Sequence, residues 1–268
     1  MSTELDAQTP EATTTKLDAR TRGALAELLL AMADDEFVLG YWDSEWTGIA
    51  PMLEEDVAMS SVSQDEIGHA RALYELLAAL TDADADRIAY GRDPDAYRHA
   101  ALMNHPRTDW AFTVARRYLY ETADAVRLES LSGSSYAPLA ELSRKMRREE
   151  TYHLLHFDTW LRRLAEAGGD GRQRLTDALA HLWADAQTVF SPLDGERRLL
   201  DTGILPDPLE TLRARWLERV AGALGPLGLD ARSAPAPSID GRRRRTHDFA
   251  WLHSEFTKVA RSEVGATW

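Results

Sequence analysis

The sequence predicts an all-α protein: a four-helix bundle extended by further helices at its C-terminal end. Three observations predict it. From Leu17 onward, long stretches of Ala, Leu, Glu and Arg carry apolar residues at three- and four-residue intervals, the spacing that lines one face of an α-helix. Strand-like alternation of Val, Ile and Thr is nearly absent. A long connection containing Gly91, Pro94 and Pro106 parts the second helical stretch from the third, as a bundle with one crossover between non-adjacent helices requires.

Taken in order, residues 1–16, rich in Thr, Glu and Ala, read as a disordered tail. A single helical domain over residues 17–268 follows, with its bundle core at about 20–166 and a C-terminal extension at about 171–268. The pattern predicts helices at about 20–46, 50–80, 108–131, 137–166 and 171–190. Pro51 and Pro138 stand where a helix begins, the position proline tolerates best. Gly168-Gly169 follows the fourth helix and stops it. After Phe190, prolines at 192, 206, 208, 226, 235 and 237 cut the chain into shorter pieces, with helices expected near 208–222 and 247–263.

Composition narrows the function. The 268 residues include 31 Lys and Arg against 44 Asp and Glu, a net charge of −13, and no cysteine. The absence of cysteine excludes disulfides, thiolate metal sites, iron–sulfur clusters and cysteine nucleophiles. The acidic balance argues against nucleic acid as a partner, because neutralising phosphates takes Lys and Arg. No apolar run approaches the roughly 20 residues that span a bilayer, and residues 1–16 lack a signal peptide's basic-then-apolar layout. A cytoplasmic protein without a membrane partner is expected. Neither Gly-x-Gly-x-x-Gly nor Gly-x-x-x-x-Gly-Lys occurs, so no nucleotide or flavin cradle is visible.

The chemistry lies in the acids on the apolar stripes. The stripes read Leu25, Leu29, Met32, Glu36, Leu39; then Val62, Glu66, His69, Leu73, Leu76, Leu80; then Val114, Tyr118, Glu121, Ala125, Leu128; and Met146, Glu150, His153, Phe157, Trp160, Leu164. Each predicted bundle helix thus turns a glutamate inward, and two add a histidine one turn later. Buried carboxylates without a partner cost several kcal/mol each, and a pair of divalent metals supplies the compensation. Glu66-x-x-His69 and Glu150-x-x-His153, completed by Glu36 and Glu121, form the ligand set of a di-iron or manganese-containing carboxylate centre in a bundle core.

Taken alone, Glu36 beside Asp34 and Asp35 reads as an exposed acid, and a single Glu-x-x-His is commonplace. The weight lies in the conjunction and in the spacing, since 30 residues separate Glu36 from Glu66 and 29 separate Glu121 from Glu150. Asp65 and Glu149 have two open readings: acceptors for the far nitrogen of a metal-bound histidine, or members of a solvated helix face. His156 reads as an outer or core histidine. The run Arg242–Arg245 reads first as a solvated loop, with a docking patch for acidic groups as the alternative. Trp251 and Trp268 read either as core or as an interface.

Several stretches resemble a known family. Residues 40–56, containing Ser44-Glu-Trp-x-Gly-x-Ala-Pro-x-Leu-Glu-Glu-Asp56, together with Gln64-Asp-Glu-Ile-Gly-His-Ala-Arg71, Arg148-Glu-Glu-Thr-Tyr-His-Leu154, Gly241–His247 and Val264–Trp268, are similar to the C subunits of bacterial phenylacetyl-CoA epoxidase complexes. The resemblance covers essentially the whole chain after the tail. It implies a ferritin-like fold and a role in aerobic phenylacetate breakdown, where the complex inserts one oxygen atom into the ring of phenylacetyl-CoA.

The resemblance further implies a homologous catalytic A-type chain as partner, with other members of the complex and self-association as further contacts. NADPH, flavin and iron–sulfur groups belong to a separate reductase. In that family the C-type chain is a supporting one that has lost metal ligands. Here all six positions, Glu36, Glu66, His69, Glu121, Glu150 and His153, hold ligand residue types, so a retained dimetal site is expected. The alternative reading is a self-sufficient di-iron oxygenase or oxidase; an iron-storage protein would leave the C-terminal extension unexplained.

Overall fold

The computed structural model describes residues 17–230 and 235–262, and among them it contains ten α-helices and no strand. The chain runs α1 (Ala19–Ser44), α2 (Leu53–Thr81), α3 (Ala85–Tyr90), α4 (Trp110–Leu131), α5 (Ala137–Ala167), α6 (Gly169–Ala186), α7 (Glu196–Thr202), α8 (Leu209–Leu224), α9 (His247–Phe256) and α10 (Lys258–Ser262). Helices α1, α2, α4 and α5 make the bundle: α1 pairs with α2, α4 with α5, and α2 also meets α5. Helices α6 and α8 pack on the outside of α4, while α7 and α9 pack on α1. The five long helices fall within a few residues of their predicted places. Helices α3 and α7 are additions, residues 187–190 form a 3-10 turn rather than more of α6, and the last predicted helix breaks at Thr257. The tail expected over residues 1–16 lies outside the described residues, as does Trp268.

Local chemistry explains the boundaries. Asp18 caps α1 by accepting from the backbone N–H groups of Arg20 and Thr21, and Asp109 caps α4 through Phe112. Pro138 occupies the first turn of α5, and Pro51 stands just ahead of α2. Gly168 and Gly169 both take positive φ, 69° and 54°, which lets α5 stop and α6 start without an intervening loop.

Helix α1 is the centre of the molecule. Every residue from Ala31 to Gly40 is buried, so this helix has neighbours on all sides instead of one apolar stripe. The consecutive acids Asp34, Asp35 and Glu36 are each fully buried, and Glu36 is therefore no exposed acid even with two aspartates beside it. Successive helix positions are turned by about 100°, so the three carboxylates meet three different surroundings. Asp34 accepts from Arg92 (2.5 and 2.9 Å), the Tyr74 hydroxyl (2.5 Å) and the Arg98 backbone N–H (2.5 Å). Asp35 accepts from Ala100 N–H (2.7 Å), Arg127 (2.9 Å) and Arg242 (2.9 and 3.0 Å). Glu36 points into the bundle.

The crossover is accordingly a packed strap, with Tyr97 and residues 99–104 buried. The Arg242–Arg245 run is solvated only in part, with Arg243 and Arg244 exposed and Arg242 buried, and each of its four guanidiniums has a partner within the fold. Arg242 is buried against Asp35 and also donates to the Val189 carbonyl at 2.7 Å. Arg243 pairs with Asp194, Arg244 with Asp185, and Arg245 donates to carbonyls of the crossover and of its own turn. An acidic core requires countercharge, and this run supplies part of it. Trp251 is half-exposed, with its ring stacked on that of buried Trp42 at 6.0 Å.

The four arginines are thus unequal. Arg242→Met, which strands part of a buried carboxylate, is expected to lower unfolding free energy by about 3 kcal/mol, whereas Arg243→Ala, losing an exposed pair, costs less than about 1 kcal/mol. Urea denaturation of the two variants checks the contrast.

Candidate metal centre

The bundle brings all six sequence-predicted residues to one level of its core. Helix α1 contributes Glu36, α2 contributes Glu66 and His69, α4 contributes Glu121, and α5 contributes Glu150 and His153. All are buried, with exposures between 0 and 5%. Donor atoms group into two overlapping sets, each within 4.8 Å: Glu36, Glu66, His69 and Glu150, then Glu66, Glu121, Glu150 and His153. Glu66 and Glu150 belong to both. The arrangement therefore has two halves, each with one terminal glutamate and one histidine, joined by two shared glutamates. The α1–α2 spacing depends on Gly40, where a Cβ would stand 2.9 Å from Ile67 Cγ1 and 3.0 Å from Glu66 Cβ.

The histidines are oriented from behind. His69 Nε2 lies 2.7 Å from Glu149, and His153 Nε2 lies 3.2 Å from Asp65. The two acids preceding the paired glutamates thus serve the histidine of the opposite helix, and the orienting reading of Asp65 and Glu149 is the one the geometry favours. This leaves both Nδ1 atoms facing inward. His156 stays outside the cluster, with Nε2 3.0 Å from Glu55. Inside, Glu36 Oε2, Glu66 Oε2, Glu121 Oε2, both carboxylate oxygens of Glu150, and Nδ1 of His69 and His153 are buried with no hydrogen-bond partner among the described residues. These atoms, divided between the two overlapping sets and facing one another, with His69 Nδ1 3.1 Å from Glu150 Oε1, are of the kind a divalent ion satisfies, and their oxygen and imidazole chemistry suits iron or manganese.

Three further groups shape the site. Tyr120 donates to Glu36 Oε1 at 2.6 Å and accepts from Arg127 at 3.0 Å. Arg117, fully buried, donates to Glu66 Oε1 at 2.6 Å, is ion-paired with Glu121, and reaches Asp43 at 3.3 Å. None of these follows from the stripe pattern. Arg117 precedes Glu121 by four residues, and such a pair in sequence usually marks an exposed i,i+4 salt bridge, so its burial was not signalled by the sequence.

Without metal, protons carry the compensation. Burial, reinforced by the facing Glu66, pushes the Glu36 carboxyl well above the usual range, and burial with Glu150 does the same to Glu121 against the pull of Arg117. Burial opposes ionisation of Glu66, but Arg117 overrides it and holds that carboxyl at about 2. Burial likewise disfavours the imidazolium forms, yet the facing Glu150 and Glu36 raise His69 to about 12, and Glu150 with Glu66 raises His153 to about 10.

A helical bundle whose centre is two Glu-x-x-His turns and two further glutamates is a ferritin-like carboxylate bundle. Residues 5–268 match the family described as "Phenylacetic acid catabolic protein", and the chain belongs to that family. It is 28% identical over 246 residues to the C subunit of the 1,2-phenylacetyl-CoA epoxidase of Escherichia coli (strain K12), an alignment spanning 91% of this chain and 99% of that one. It is 26% identical over 204 residues to the A subunit of the same epoxidase, spanning 74% of this chain and 64% of that one.

The raised groups fix the pH dependence of the chelator-treated protein. Stability contributed by Glu36, Glu121, His69 and His153 is fully present below their unfolded values, 4.5 and 6.5. It is lost as pH rises through the higher folded values, including about 10 for His153. The urea midpoint is therefore expected to fall as pH rises from 7 through 10. In the double variant Glu36→Gln, Glu121→Gln, which fixes the neutral form, the fall is expected to be shallower; an unchanged slope would sink the proton-compensated reading.

Proposed function

We propose that this chain is the C-type supporting member of a phenylacetyl-CoA oxygenase (epoxidase) complex in aerobic phenylacetate catabolism, paired with a catalytic A-type chain in the cytoplasm. The observation that carries the reading is coverage: the chain accounts for 99% of the C-type relative but only 64% of the A-type one. The six buried ligand-type residues, Glu36, Glu66, His69, Glu121, Glu150 and His153, support the further reading that this chain holds divalent metal among them. Such an ion supplies charge neutralisation and, as iron or manganese, one-electron redox capacity.

The chain's own groups do the rest. Glu149 and Asp65 hold the His69 and His153 rings so that Nδ1 faces the centre, and Tyr120 fixes the terminal glutamate Glu36. A metal held by the two histidines through Nδ1 would take the place of the proton that each imidazole otherwise keeps there. NADPH oxidation through flavin and iron–sulfur groups is assigned to a separate reductase.

The self-sufficient oxygenase reading is favoured by one observation, the complete ligand set, and the same experiment separates the two. Purified chain, an A-type chain and a reductase are mixed in all combinations, with oxygen consumption on phenylacetyl-CoA as the readout. The supporting role predicts co-elution with the A-type chain and turnover only when both are present. Turnover by this chain with reductase alone would overturn it.

A further inference from the structure

The two halves of the centre are not equivalent, because one of them already contains a cation. Arg117 projects from α4 one turn before Glu121, and its guanidinium contacts Glu121 and Glu66, a terminal and a shared member of the Glu66–Glu121–Glu150–His153 half. It is held there from behind, with Asp43 at 3.3 Å and the Phe157 ring beneath it at 5.0 Å. Asp43 is itself buried and fixed by Arg116 at 3.1 Å.

Arg117 touches the Glu36 half only through the shared Glu66, and the terminal glutamate of that half has no cation in contact with it as Glu121 has. Its terminal glutamate accepts from a neutral phenol, Tyr120. The nearest guanidinium, Arg127, stays 3.6 Å from Glu36 and pairs more closely with Asp124 (2.5 Å) and Asp35 (2.9 Å). Arginine does not give up its proton in a protein. A metal ion entering the Arg117 half would therefore share oxygen atoms with a fixed positive charge in a site closed to water, where repulsion is least screened.

We propose that Arg117 is a resident cation occupying the Glu121 half of the centre, so that the chain takes one divalent ion, in the Glu36–Glu66–His69–Glu150 half. This rests on the reading that the cluster binds divalent metal. It gives the supporting role a physical basis, since a single ion beside a guanidinium lacks the second redox metal of a two-metal centre.

The test is metal stoichiometry of the full chain, stripped with chelator, loaded with Mn²⁺ and desalted, read by elemental mass spectrometry and electron paramagnetic resonance. The wild-type chain is expected to hold one Mn²⁺ with the six-line spectrum of an isolated ion. Arg117→Met is expected to hold two with an exchange-coupled spectrum, and Arg117→Lys, which keeps the charge, to remain at one. Two ions in the wild-type chain, or one in Arg117→Met, would overturn the resident-cation proposal and leave the metal centre standing. No Mn²⁺ in either protein would overturn the metal centre itself.

Should Arg117→Met fail to fold, ligand variants in the wild-type background decide. Glu36→Gln is expected to weaken Mn²⁺ binding by about tenfold or more and Glu121→Gln by much less; the reverse order overturns the proposal.

Discussion

Burying four glutamates at one level of a helical bundle is the constraint on which the remainder of this structure depends. Ionised carboxylates are costly away from water, and their mutual repulsion grows as the surroundings become less polar. Glu36, Glu66, Glu121 and Glu150 meet that cost in three ways. Imidazolium protons on His69 and His153 face the shared glutamates, the Arg117 guanidinium holds Glu66 and Glu121, and Glu36 and Glu121 keep protons of their own. The guanidinium, unlike the protons, cannot titrate away, so the two halves of the cluster differ from the outset.

The same need for countercharge organises the outer layer. Asp34 and Asp35 sit beside Glu36 on the stretch of α1 that has no solvent face, and their partners come from distant parts of the chain. Arg92, Arg98 and Ala100 belong to the crossover, Arg127 to α4, and Arg242 to the segment before α9. The crossover and the C-terminal extension are therefore fastened to the bundle by polar contacts to two aspartates as well as by apolar packing such as Tyr97 against Phe249. Because Arg127 also holds the Tyr120 hydroxyl that holds Glu36, the outer network and the centre share members. Two side chains, Arg127 and Tyr120, link Asp35 to the terminal glutamate.

Much of this was legible in the chain itself, and particular residues show why. The inward glutamates could be found because helical periodicity is a local property: Glu36, Glu66, Glu121 and Glu150 each occupy a position that the neighbouring leucines, valines and methionines mark as buried. The Glu-x-x-His spacing places each histidine on the face of its glutamate without any knowledge of the other helices. The same logic misjudged Leu76 and Leu80, which are only partly buried, whereas Tyr74 and Leu77 lie in the core. Tyr74 there faces Asp34 and Phe37 of α1 and Arg92 of the crossover.

Sequence alone thus determined the all-α class, the order of the long helices, the six inward ligand-type residues and the acids that precede the pairs. Only the tertiary structure decided which acid serves which histidine, and the answer is crossed: Glu149 to His69 and Asp65 to His153. It also decided that Asp34 and Asp35 are buried, that Arg242 neutralises one of them, and that Arg117 enters the centre. The reason is the range of the interactions. Periodicity is written in residues three or four apart, whereas much of the charge compensation is settled between distant groups, Arg117 with Glu66 at 51 residues and Arg242 with Asp35 at 207. No local pattern records which arginine of an acidic, arginine-rich chain will be the one drawn inside.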